Sequence, residues 1–108
     1  MSYDITIGDE EFNHTYNTHQ LFCEIMPGNE EREAGINGLY GMTGAEAAEY
    51  IEASLERLSE MLHTKSEDEI REKFDAPNKW GTLFTATLMI SRLMAACMRH
   101  PFKKIEIC

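Results

Sequence analysis

Thr43-Gly44-Ala45-Glu46-Ala47-Ala48-Glu49-Tyr50-Ile51-Glu52-Ala53-Ser54-Leu55-Glu56-Arg57-Leu58-Ser59-Glu60-Met61-Leu62 is the stretch on which the fold turns. Thr43 and Glu46 stand three residues apart ahead of an apolar run. In that pattern the hydroxyl accepts from the third amide of a helix, and the carboxylate reaches back to the amide of the cap. Ala48, Ile51, Leu55, Leu58 and Leu62 then recur at steps of three and four, which predicts a helix over 44–62 with one stripe facing a core. Glu46, Glu49, Glu52, Glu56 and Glu60 fall mostly off the stripe and form an acidic outer ridge.

Toward the C-terminus, Ser66-Glu67-Asp68-Glu69 repeats the capping signature and predicts a short helix over 67–74, with Ile70 and Phe74 inward. Asp75-Ala76-Pro77-Asn78 breaks it. A last helix opens at Asn78 or Lys79 and runs to about Arg99. Trp80, Leu83, Phe84, Leu88, Ile90, Leu93, Met94, Cys97 and Met98 cover most of its circumference, so it is expected to be central. Thr85, Thr87, Ser91 and Arg92 interrupt it and rule out a membrane span. Lys104 to Ile107 alternates as a final strand.

Toward the N-terminus, Tyr3, Ile5 and Ile7 alternate with Asp4 and Thr6, a strand over 2–7 that Gly8 and Asp9 end. Asn17 with Gln20 reads as the cap of a short helix over 18–26, carrying Leu21, Phe22, Ile25 and Met26 inward. Residues 27–42 read as a loop anchored by Ile36, Leu39 and Tyr40. The expected architecture is one α+β domain over 1–108, mainly α. It has two long and two short helices under a two-stranded ribbon of the terminal strands, antiparallel or parallel. Ile51, Leu55, Leu58, Leu62, Leu83, Phe84, Ile90, Leu93, Met94 and Cys97 are the expected core.

Composition narrows the function. The chain has 108 residues, 43% of them apolar, and a formal net charge of -9. That surface repels nucleic acid and anionic membrane on average and favours basic partners. The start Met-Ser-Tyr-Asp lacks a basic, apolar leader, so a cytoplasmic setting is expected. Cys23, Cys97 and Cys108 form no disulfide or metal-finger pattern, and a reducing compartment fits them. Seven methionines suit an adaptable interface as well as a core, and a homo-oligomer stays open.

The densest polar cluster is Asn13, His14, Thr15, Tyr16, Asn17 and His19. These groups make specific hydrogen bonds to ligands, and they equally suit caps and turns. Asn13, His14, Tyr16, Asn17 and His19, with Lys79 and Trp80, are the candidate small-ligand contacts. Glu49, Glu52, Glu56 and Glu60 are the candidate protein contacts. His14 and His19 lie five apart, on different faces of a helix, so no metal site is expected. No Gly-x-Ser-x-Gly elbow occurs, and a Cys23–His14 pair is a weak nucleophile candidate beside the reading of Cys23 as core. Gly35, Gly38, Gly41 and Gly44 recur every three residues, but no Lys-Ser/Thr follows and Glu46 would repel a phosphate. No catalytic residue and no cofactor is expected.

Several segments together resemble a group of small accessory proteins of tailed bacteriophages. They are Met1-Ser2-Tyr3-Asp4, then Thr15-Tyr16-Asn17 before a short aromatic helix, then Gly35-Ile36 and Leu39-Tyr40-Gly41-Met42-Thr43-Gly44 before a long one, and Asn78-Lys79-Trp80-Gly81 before the last. The chain departs from the group's pattern in its methionine-rich stretch from Leu83 to Met98 and in an insertion at 29–33. The resemblance implies a protein acting inside an infected bacterium and brings no activity with it. Together with the missing catalytic motif it points to non-enzymatic binding in counter-defence. The target would be a host defence protein, such as a CRISPR effector, or an immune signalling nucleotide. A small nucleotide-acting hydrolase and a virion structural or assembly role are the alternatives.

Overall fold

The structure, a computed structural model, describes residues 2–74 and 82–108, without the side chains of Glu67 and Phe74. Strand β1 (Ser2–Ile7) is followed by β2 (Glu10–Thr15), a 3-10 turn (Tyr16–Thr18) and helix α1 (His19–Ile25). A second 3-10 turn (Ile36–Leu39) leads to α2 (Gly44–Thr64), α3 (Glu67–Phe74), α4 (Leu83–Arg99) and β3 (Glu106–Ile107). The fold is α+β and mainly α, as expected. Among the described residues no helix is long and apolar enough to cross a membrane.

The terminal ribbon forms and is antiparallel, with Ile5 opposite Ile107 and Thr6 opposite Glu106. It gains a third strand, in the order β2-β1-β3. β2 folds back on β1 through the two-residue turn Gly8-Asp9, and Ile7 faces Glu10. Gly8 has φ +59, and a Cβ there would meet the His100 ring at 2.6 Å, so any side chain at this turn would be strained. Tyr3, Ile5 and Ile7 are buried on the inner face.

Helix α2 starts as expected. Thr43 Oγ1 accepts from the Glu46 amide at 3.3 Å, and the Thr43 amide donates to Glu46 Oε1 at 3.2 Å. Two further amides of the first turn, which no helix can satisfy itself, donate to the chain leaving α4. Gly44 N–H reaches Lys103 O at 2.8 Å, and Ala45 N–H reaches Pro101 O at 3.1 Å. The start of α2 therefore docks on the end of α4, and the two helices pack antiparallel.

Four expectations are corrected. First, α4 begins at Leu83, with Thr82 as its cap, rather than at Asn78 or Lys79: Thr82 Oγ1 accepts from the Thr85 amide at 3.1 Å. Second, the core stripe of α2 is Gly44, Ala47, Ile51, Ser54 and Leu58. Leu55 is only half-buried and Leu62 is 40% exposed. Close approach of α4 selects small residues for the contact line and turns the larger leucines to its flanks. Buried Ser54 keeps its hydroxyl satisfied on Tyr50 O at 2.8 Å. Third, α4 is not covered all round: Phe84 and Met98 are 67% and 66% exposed, while Met94 is half-buried. Fourth, Asn17 is not a cap. Thr15 caps the turn, accepting from the Asn17 amide at 3.2 Å, and Thr18 precedes α1 without a side-chain cap bond. Of the loop anchors, Ile36 and Leu39 are buried and Tyr40 is exposed. The expected positions of Lys79, Trp80 and the Phe74 side chain lie outside the described residues.

Candidate functional site

The polar cluster of residues 13–19 is divided by the alternation of β2. Asn13 turns to the outer face, where its amide donates to Asp4 Oδ1 at 2.7 Å and Ser2 Oγ at 3.1 Å. His14, opposite Tyr3, turns inward against Phe22, with ring centroids 5.8 Å apart. Its Nε2 is buried without a partner among the described residues, and burial lowers its pKa. Asn17 is exposed. Tyr16 and His19 pack against Tyr3, Tyr16 with centroids 4.2 Å away. Asn37 Nδ2 approaches the Tyr16 hydroxyl at 3.5 Å. The structure thus gathers Tyr16 and His19 but places Asn13, His14 and Asn17 on other surfaces.

His19 is the centre of a relay. Tyr3 meets its Nδ1 at 2.5 Å, and Cys23, one helical turn on, meets its Nε2 at 3.4 Å. A thiol, an imidazole and a third orienting group in line are the parts of an activated nucleophile. The proton inventory argues the other way. Burial pushes the Tyr3 phenol well above its ordinary pKa, so it keeps its proton and has it to donate to Nδ1. In the tautomer that accepts from Tyr3 at Nδ1, the ring proton sits on Nε2 and points at sulfur, leaving no lone pair to take the thiol proton. Burial, then Glu33 and Glu24, also raise the Cys23 thiol. Cys97 is fully buried, and burial pushes its thiol up to about 11.

A second cluster joins the hairpin turn to the end of α4. Arg99 donates to both Glu10 oxygens, from Nε at 3.0 Å and from a terminal nitrogen at 2.5 Å. His100 Nε2 lies 3.0 Å from Glu10 and 3.2 Å from Asp9. Asp9, Glu10 and His100 offer ligand atoms within 4.8 Å of one another, as a cation site would. The guanidinium already neutralises Glu10, so the geometry is that of an ion-pair clasp. An open hollow of about 490 Å³ beside it mixes Lys103 and Lys104 with Asp9 and Glu106. The Arg99 hydrogen bonds hold the Glu10 carboxyl below its ordinary 4.5. A carboxyl depressed in the folded state stabilises above its unfolded pKa and stops doing so as pH falls through the lower, folded value. Arg99→Gln is therefore expected to destabilise near neutral pH and to flatten the acid loss of stability below about pH 4.5. Melts recorded from about pH 6 to about pH 3 check this, and an unchanged acid limb would refute it.

The third candidate is the outer face of α2. Glu49, Glu52, Glu56 and Glu60 are all exposed. None makes an ion pair among the described residues. Glu46 belongs to the cap instead, and the Thr43 amide holds its carboxyl below the ordinary range.

Sequence reasoning passed over two features. Arg99 and Glu10 are 89 residues apart, so no local spacing reveals their pairing. The hollow of about 270 Å³ between β2 and α4, which His14 and Arg92 both line, depends on a strand the sequence showed only faintly. No family model, curated protein or solved structure matches the chain.

Proposed function

We propose that the chain is a non-enzymatic binding protein that occupies a surface of a host protein and so acts in counter-defence inside an infected bacterium. The observation that carries this reading is the outer face of α2. Its four exposed glutamates, Glu49 to Glu60, run along roughly 16 Å of one helix face at 1.5 Å per residue. They are part of a net charge of -9. Such a face steers a basic partner surface into register and raises its association rate. The surroundings of Cys23 support binding over covalent chemistry, because partial burial, Glu33 and Glu24 raise its pKa and the His19 tautomer that accepts from Tyr3 turns no lone pair to the thiol. The phage setting comes from the resemblance of the sequence.

The test is a plating assay in bacteria that carry a defence system and express the chain. The wild type is expected to restore plaques. A variant carrying Glu49→Lys, Glu52→Lys, Glu56→Lys and Glu60→Lys, with its melting curve checked, is expected to lose at least about tenfold in plating, because it sets like charges against a basic partner surface. Equal plating by the two would remove the role of this face. Substoichiometric inactivation of the target by purified protein would remove the non-enzymatic reading.

A further inference from the structure

Strand β2 is an edge of the sheet, and its ladder tells which of its main-chain groups are spent. The residue pairs of an antiparallel ladder alternate, so each residue's amide and carbonyl turn to one side of its strand. On β1, Asp4 uses both groups toward the far side: Cys108 N–H donates to Asp4 O at 2.9 Å, and Asp4 N–H reaches Cys108 O at 3.5 Å. Tyr3 and Ile5 therefore turn theirs to β2, where they face His14 and Phe12. Glu11, Asn13 and Thr15 must then present their main chain outward. Thr15 O is taken by the Thr18 hydroxyl at 3.2 Å. The outward groups of Glu11 and Asn13 have no partner among the described residues. Two free amide–carbonyl pairs, two residues apart along a strand, are a template for another strand.

Helix α4 runs beside this edge. Phe12 and His14 from the strand and Thr85, Leu88, Met89 and Arg92 from the helix enclose the hollow of about 270 Å³. Asn13 also lines it. Its side chain is committed to Asp4 and Ser2 on the outer face, so it offers its main chain. Leu88 is 38% exposed, an apolar side chain left facing the hollow's opening. Arg92 is exposed and makes no ion pair among the described residues. In a chain of net charge -9 it is a cation placed where an incoming carboxylate would meet it.

We infer that the groove between β2 and α4 takes an extended peptide segment of a partner protein as a fourth strand. Its main chain pairs with Glu11 and Asn13. An apolar side chain enters between Phe12 and Leu88, and a carboxylate binds Arg92. A small ligand would use the hollow but not both free main-chain pairs, whose spacing of about 6.8 Å is the repeat of a strand. A second copy would bring the uncompensated Glu11 of its own edge beside this one, which like charges oppose.

The test selects a random displayed peptide library on the purified chain and on Arg92→Glu. Peptides with an acidic residue at fixed spacing from an apolar one are expected to be enriched on the wild type and to bind Arg92→Glu at least about tenfold more weakly. Binding should slow amide exchange at Glu11 and Asn13. N-methylation of alternate amides in the best peptide should abolish binding without altering the protein. Asn13→Pro should do the same from the protein side, since an outward-facing edge amide can be lost without breaking the ladder. The inference fails if no sequences are enriched, or if enriched peptides bind with Glu11 and Asn13 exchange unchanged. It also fails if those amides are already protected by a concentration-dependent dimer.

Discussion

Gly44→Ala is expected to destabilise the protein by about 3 kcal/mol, at the upper end of what an inserted methyl costs in a packed core. The helical position would ordinarily favour alanine over glycine by about 0.5–1 kcal/mol. Here a Cβ would lie 2.2 Å from His100 O and 2.4 Å from Cys97 O. Both are main-chain atoms, held at the end of α4 while Gly44 N–H and Ala45 N–H hold the segment that follows. No side chain can swing aside, so α2 must lift off α4 or the capping contacts must break. In a domain of this size the melting temperature should fall by about 12–24 °C. Gly41→Ala separates the causes. Gly41 has φ +81 and open space around its Cβ, so its cost is conformational and about 1 kcal/mol. Circular dichroism melts of both variants decide it. A Gly44→Ala protein as stable as wild type would mean that the two helices are not in this close contact.

The same contact explains which parts of the fold were legible. The bounds of α2 and α3 and the whole of β1 follow from local signals: a capping box, a repeated cap, strict alternation. The pairing of β1 with β3 follows from having two terminal strands to satisfy. The stripe of α2 was misplaced by one helical position because hydrophobicity favours the largest apolar residues, Leu55 and Leu62. Interhelical distance favours the smallest, Gly44, Ala47 and Ser54, and that distance is a property of the pair. Strand β2 was missed because its inner face holds Glu10 and His14 beside Phe12, so its alternation carries little hydrophobic contrast. The site suffered more. The glutamate ridge was readable, since a single helix places it. The split of residues 13–19 was not, because it depends on the unseen strand. The partner that sets the chemistry of His19 is Tyr3, sixteen residues away on another element.

That partner gives the largest expected effect. Tyr3 is fully buried, packed at a tilt against Tyr16 and edge-on to Phe22, with its hydroxyl on His19. Tyr3→Ala leaves a ring-sized void and strips a hydrogen-bond partner from a half-buried imidazole, a loss of about 4 kcal/mol. Against a total stability of about 5–15 kcal/mol, much of the protein would be close to unfolding at growth temperature. Tyr3→Phe keeps the ring and removes only the hydroxyl, so it should cost about 1–2 kcal/mol. It also tests the proton assignment. With the phenol gone, Nδ1 is free to carry the imidazole proton, and Nε2 gains a lone pair facing the Cys23 thiol. Cys23 alkylation should then run faster in Tyr3→Phe than in wild type under native conditions, and nitrogen NMR of His19 should show the tautomer change from Nε2–H to Nδ1–H. Equal alkylation rates with an unchanged tautomer would show that Tyr3 does not set the proton on His19. In that case the thiol is quiet only because it is partly buried and faces Glu33 and Glu24.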